Sequence, residues 1–203
     1  MFFTLERATK ILQDLQADIY VKRQSVDNLT YRDGSFANLA AVERSDQPWQ
    51  EFPPGSRWGG RDHHGWFRAF VKIPPAFEGK TVAVWVNSYI GTGLVDDAAN
   101  PQFMLYVNKQ FVQGLDINHQ EVIISRGARA GAEYQLDLHA YSGMFDKKTD
   151  IHVELVVIDE FIRQFCYDLM VAVGVARELP DHNQRRQESF QSYQYHRQPP
   201  GPS

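Results

Sequence analysis

Between Ser45 and Ile158 the chain is cut into short runs in which apolar and polar residues alternate, and this period of two decides what it can become. Phe67, Ala69, Val71 and Ile73 share one face of such a run, while Arg68 and Lys72 occupy the other. Alternation of this kind predicts a strand with one face buried. Pro74-Pro75 closes the run, because proline supplies no ladder donor. Val82, Val84 and Val86 predict a second strand, and Phe103, Leu105 and Val107 a third. Asn108-Lys109 reads as a tight turn into Phe111–Gly114. Val122–Ser125, Tyr134–Ala140 and Ile151–Ile158 complete the set. Upstream, Pro48, Pro53, Pro54, Gly55, Gly59 and Gly60 crowd into thirteen residues and are expected to exclude regular structure there.

The period changes to that of a helix at both ends. Leu5, Ala8, Ile11, Leu12, Leu15 and Ile19 form one stripe, and Ile162, Phe165, Cys166, Leu169, Val173 and Ala176 another. Past Tyr20 the first pattern dissolves into polar residues, and past Asp181 the tail holds no aliphatic side chain, so disorder is expected there. The expected plan is a helix and connector over 1–44, a sandwich over 45–160, a helix over 161–180 and a polar tail over 181–203. The fold class expected is mainly β: an antiparallel β-sandwich of jelly-roll, galactose-binding-like type with a helix at each end.

Composition narrows the function classes. Of 203 residues, 43% are hydrophobic and 13% aromatic, enough for a packed core. The net charge of −4 argues against nucleic acid, which selects a basic face. No apolar run reaches the roughly 18–20 residues of a membrane span. The single cysteine, Cys166, permits neither a disulfide framework nor a cysteine-rich zinc site, and its place on the helical stripe predicts inert burial. The N-terminal residues carry no apolar leader, which makes the cytoplasm the expected compartment.

Two stretches hold more polar and aromatic residues than strands require: Trp58–Arg68, with Asp62, His63, His64 and Trp66, and Gln113–Glu121, with Asp116, Asn118 and His119. Asp62, His64, Asp116 and His119 have the donor atoms for a metal, but no metal-motif spacing, so loop scaffolding by hydrogen bonds is the expected role. Trp49, Trp58 and Trp66 offer flat faces for a sugar ring, with Asp62 and His64 to take its hydroxyls, although aromatics in a sandwich more often fill its core. Asp96-Asp97 lacks the separated placement of glycosidase carboxylates, and Gly91-Thr92-Gly93 lacks the third glycine of a dinucleotide loop. No complete catalytic set is legible.

Taken with their neighbours, the two stretches resemble the N-terminal region of glycoside hydrolase family 38 α-mannosidases of the cytosolic or bacterial long-chain branch. The matching pieces run in order: Trp58-Gly59-Gly60-x-Asp62-x-His64-x-Trp66-Phe67-Arg68 followed by Val71-Lys72-Ile73-Pro74, then Pro101-Gln102 through Leu105-Tyr106-Val107-Asn108, then Gln113-Gly114-Leu115-Asp116-x-Asn118-His119-x-Glu121-Val122. Ala140–Gly143 and Tyr167-Asp168-Leu169 also fit, so the resemblance covers about residues 1–180.

The resemblance implies a sandwich that precedes a larger catalytic part carrying zinc, an aspartate nucleophile and an acid/base carboxylate. That part's His-x-His-x-Asp zinc run does not occur in these residues, so no catalytic or metal residue carries over. The expected role is therefore an accessory domain that docks on the α-mannosidase catalytic domain and is inactive alone. Zinc belongs to that domain, a mannose-containing glycan is the full enzyme's substrate, and a homo-oligomer is a further candidate assembly. The expected rim residues, which are also candidates for glycan contact, are Trp58, Asp62, His64, Trp66, Arg68, Asp116, Asn118 and His119. The alternative is a free-standing carbohydrate-binding module, which should expose Trp58 and Trp66, whereas a docking domain should bury them or set them in a flat patch.

Overall fold

A computed structural model of the chain describes residues 2–87, 100–143 and 145–178. The Gly91-Thr92-Gly93 and Asp96-Asp97 segments and the tail past Asp181 lie outside the described residues. The chain divides into two compact units, Lys22–Val157 and the paired ends Met1–Val21 with Ile158–Ser203.

The larger unit is a β-sandwich. Its six-stranded sheet runs in the order β3 (Gln50–Glu51), β2 (Thr30–Asp33), β5 (His63–Lys72), β10 (Glu133–Ser142), β7 (Gln102–Val107) and β8 (Gln110–Leu115). Each of its five pairings is antiparallel. The second sheet runs β1 (Tyr20–Ser25), β12 (His152–Ile158), β6 (Thr81–Asn87), β9 (Glu121–Arg126). A small ribbon pairs β4 (Arg57–Gly59) with β11 (Lys148–Asp150).

The alternating residues fill one core between the two sheets. Phe67, Ala69 and Val71 of β5, Leu136, Leu138 and Ala140 of β10, and Phe103 and Leu105 of β7 meet Val82, Val84 and Val86 of β6 and Val153, Leu155 and Val157 of β12. The β7–β8 turn at Asn108-Lys109 has positive φ at both residues (48° and 67°). That conformation matches the twist of a two-residue hairpin.

Two local expectations need correction. Residues 20–33 are not a connector: β1 and β2 form there. β1 is almost wholly exposed, so it carries no alternation to read. The proline- and glycine-rich stretch does admit strands, β3 and β4, although each is only two or three residues long. Gly59 and Gly60 adopt φ of 129° and 127°, a region L side chains rarely enter.

The smaller unit pairs helix α1 (Phe2–Asp18) with helix α3 (Glu160–Glu178). The Asp159 N–H donates to Ile19 O at one end and Arg177 donates to Thr9 toward the other, so the helices run antiparallel. Leu5, Ile11, Leu12 and Leu15 pack on Ile162, Phe165, Cys166 and Leu169. The two stripes thus cover each other. No helix among the described residues is long and apolar enough to cross a membrane.

Candidate functional site

The face of the six-stranded sheet turned away from the shared core carries the residues the strands do not need for packing. Register places Tyr141 beside His64 on one side and Gln102 on the other, and His139 between Trp66 and Met104. Neighbouring rings then stack across the strands. Tyr141 and His64 lie 4.7 Å apart, His64 and His139 5.5 Å, and His139 and Trp66 4.6 Å with their planes within 5°. Trp66 ends this ladder fully buried beneath Leu39 and Val42 of the short helix α2 (Leu39–Arg44).

At the other end the face opens into a groove of about 470 Å³. Its walls come from His64, His139 and Tyr141, and from Gln102 and Met104 of β7. Gly114 and Asp116 close the side formed by β8 and the turn after it. Gly114 leaves space: a Cβ there would meet nothing nearer than Phe103 O at 3.9 Å. No lysine or arginine lines the groove among the described residues.

Three wall groups are shifted from their ordinary values. Burial alone would raise the Asp116 carboxyl, but the N–H groups of Asn118 (2.8 Å) and His119 (2.7 Å) and the His119 ring bind it and hold it below the usual range. Burial, and then the charge of His64, hold His139 below the ordinary imidazole value. Burial, with Asp62 beside it, raises the Tyr141 phenol, which donates to Asp62 Oδ1 at 3.3 Å. The groove therefore joins an ionised carboxylate, Asp116, to the rings of His64, His139 and Tyr141. His64 Nδ1 and His139 Nε2 are buried without a hydrogen-bond partner.

The expected site residues divide accordingly. His64 and Asp116, one from each stretch, reach the same groove. Asp62 borders it through Tyr141, and Asn118 and His119 through Asp116. Asp62 itself sits at φ 49°, its N–H bound to Gly143 O. No hydrogen bond joins the stretches directly among the described residues; β10 and β7 bridge them. Trp58 and Trp66 are not exposed platforms, being 3% and 0% accessible. Trp58 lies in the sandwich core, its Nε1 donating to Tyr31 at 2.9 Å, and Tyr31 donates in turn to Asp33 at 2.6 Å.

Arg68 also leaves the rim. It binds buried Asp137 at 2.5 Å, lies 3.7 Å from Glu43 and stacks over Trp49 together with Arg32, each guanidinium 4.6 Å from the ring centre. Arg32 NH1 donates to the Val42 carbonyl near the end of α2, so this cluster pins the helix to the sheet. Asp62, His64, Asp116 and His119 do not converge as ligands. No group of three His, Cys, Asp or Glu suited to a metal occurs among the described residues.

Sequence reasoning missed His139, Tyr141, Gln102 and Met104. Alternation with Leu136, Leu138 and Ala140 already assigns His139 and Tyr141 to the outer face. Only strand order shows that His64 and Gln102 stand beside them.

No family model matches the chain, and no curated protein matches it either. Among solved structures it is similar to a glycosyl hydrolase family 2 member from Bacteroides cellulosilyticus DSM 14838, at 18% identity and TM-score 0.47 over 67% of this chain and 20% of that one. It is also similar to the β-glucuronidase from Ruminococcus gnavus. The complex with D-glucuronic acid gives 10% identity and TM-score 0.47 over 68% of this chain and 30% of that one. The apo form gives 11% and 0.47, over 68% and 29%. The chain thus spans between a fifth and three tenths of the glycoside hydrolases it matches. Likeness at this level carries no residue or activity across.

Proposed function

We propose that this chain is an accessory sandwich of a carbohydrate-active enzyme, and more finely the docking domain of an α-mannosidase of family 38. The observation that carries the reading is the fate of the motif residues. Trp58 and Trp66 are buried, as in a domain that uses them for its own packing, while Asp62, Asn118 and His119 remain exposed around one groove. The motif resemblance supports the finer identity. Zinc, the nucleophile and the acid/base carboxylate would be the partner domain's, and the mannose-containing glycan the whole enzyme's substrate. The burial of both tryptophans disfavours the sugar platform on which the alternative reading of a free-standing module rests.

Two measurements test this. The purified chain should not turn over an aryl α-mannoside with or without zinc, and zinc-dependent turnover would overturn the reading. Mixed with the catalytic region of a family 38 α-mannosidase, it should bind in a titration calorimeter, and Asp116→Ala should weaken that binding by releasing the 116–119 turn. Absence of binding would reject the docking role.

A further inference from the structure

We infer that the groove between β5, β10, β7 and β8 is a binding site for one neutral pyranose ring, and that it discriminates against uronic acids. Its volume of about 470 Å³ lies within the roughly 300–1,000 Å³ of small-ligand sites. Its walls join a half-exposed apolar surface, Met104 and Tyr141 at 40% and 36% accessible, to fixed polar groups. A pyranose has that same division, a C–H face and a belt of hydroxyls. The hydroxyls both donate and accept, which suits a site with one obligate acceptor, Asp116, beside the polar edges of two imidazoles.

Charge narrows the class further. A ligand carboxylate would meet ionised Asp116 and no lysine or arginine of the groove. His139, held below the ordinary imidazole range, does not supply a compensating cation near neutrality. Like charges in a partly desolvated site cost several kcal/mol in general, so an anionic sugar is rejected. A bare cation satisfies Asp116 but makes no use of the apolar wall of Met104 and Tyr141. The sugar-facing surface is thus the Tyr141–His64–His139 ladder and Met104, not the tryptophans.

This inference stands on the groove alone, so it can fail while docking holds, and docking can fail while it holds. The test is a titration of the intact chain with methyl α-D-mannopyranoside, methyl β-D-glucopyranoside, D-glucuronate and guanidinium, followed by NMR at the His64 and His139 ring protons and the Asp116 amide. At least one neutral pyranoside should shift these signals saturably. Glucuronate and guanidinium should bind at least about tenfold more weakly. Gly114→Val adds bulk on the open side, where its Cβ meets nothing nearer than Phe103 O at 3.9 Å, and should abolish the shifts while leaving the melting temperature near that of the parent. Met104→Ala, at an exposed position, should weaken binding several-fold and serves if the valine variant does not fold. No saturable shift with either neutral sugar, equal or tighter binding of glucuronate or guanidinium, or shifts unaffected by both variants would each overturn the inference.

Discussion

Removing the Arg68 guanidinium should expose how the outer face of the sheet is held. Asp137 is fully buried, with its side chain 0% accessible, and Arg68 at 2.5 Å is its cationic partner; Gln135 adds a neutral bond at 2.8 Å. Arg68→Ala strands that carboxylate and also removes the stacking on Trp49. Breaking one side of a buried pair costs about 3–5 kcal/mol. Against a total stability of about 5–15 kcal/mol, that is a large share. At about 2–4 °C per kcal/mol for a chain of this length, melting should fall by about 6–20 °C.

The pH dependence carries the diagnosis. Burial already raises the Asp137 carboxyl above its ordinary value even with Arg68 present, and without Arg68 it should rise further. A group raised on folding contributes stability below its unfolded value of 3.8 and loses it as pH climbs through the folded value. The penalty of Arg68→Ala should therefore be small near pH ~3 and widen toward pH ~7 in urea unfolding followed by circular dichroism. The double variant Arg68→Ala/Asp137→Leu should recover most of the loss, since an apolar replacement removes the stranded charge. A penalty under about 1 kcal/mol that is flat in pH would mean a hydrated carboxylate and would refute the reasoning.

Other outcomes follow from single contacts. Gly65→Ala would place a Cβ 2.5 Å from Tyr31 and 2.9 Å from Trp58 Nε1, so it should destabilise by about 1–3 kcal/mol, visible as a lower urea midpoint; an unchanged midpoint would contradict the packing. Asp116, lowered on folding, contributes stability above its ordinary value of 3.8 that is lost as pH falls toward the folded value. Asp116→Ala should remove that acid-limb dependence, and cost about 1.5–3 kcal/mol at neutral pH from its charge-assisted bonds. Cys166 is 2% exposed, and burial raises its thiol, so a disulfide reagent should label it only as fast as the helix pair opens. Rapid labelling of the folded chain would show the α1–α3 contact to be loose.

The sandwich was legible in the sequence because alternation is a local consequence of one-sided burial. Phe67, Ala69 and Val71, or Leu136, Leu138 and Ala140, announce both a strand and the face that enters the core. The helical stripes were equally plain, for the same reason at a different period, but which surface they cover was not. Each stripe satisfies the other, a fact of tertiary pairing. β1 escaped notice because an exposed edge strand has no hydrophobic pattern to betray it.

The chemistry of the site depended most on the fold. Asp62, His64 and Asp116 could be singled out by type and neighbourhood. Nothing in a one-dimensional pattern says that β10 lies between β5 and β7, and that order alone brings Tyr141 and His139 against His64, Gln102 and Met104. The same order turned two candidates inward. Trp66 is stacked under α2 and Arg68 is committed to Asp137, because a residue's exposure is set by what packs over its strand, and strand pairing joins residues far apart in the chain, as His63 to Ser142 and Arg57 to Asp150.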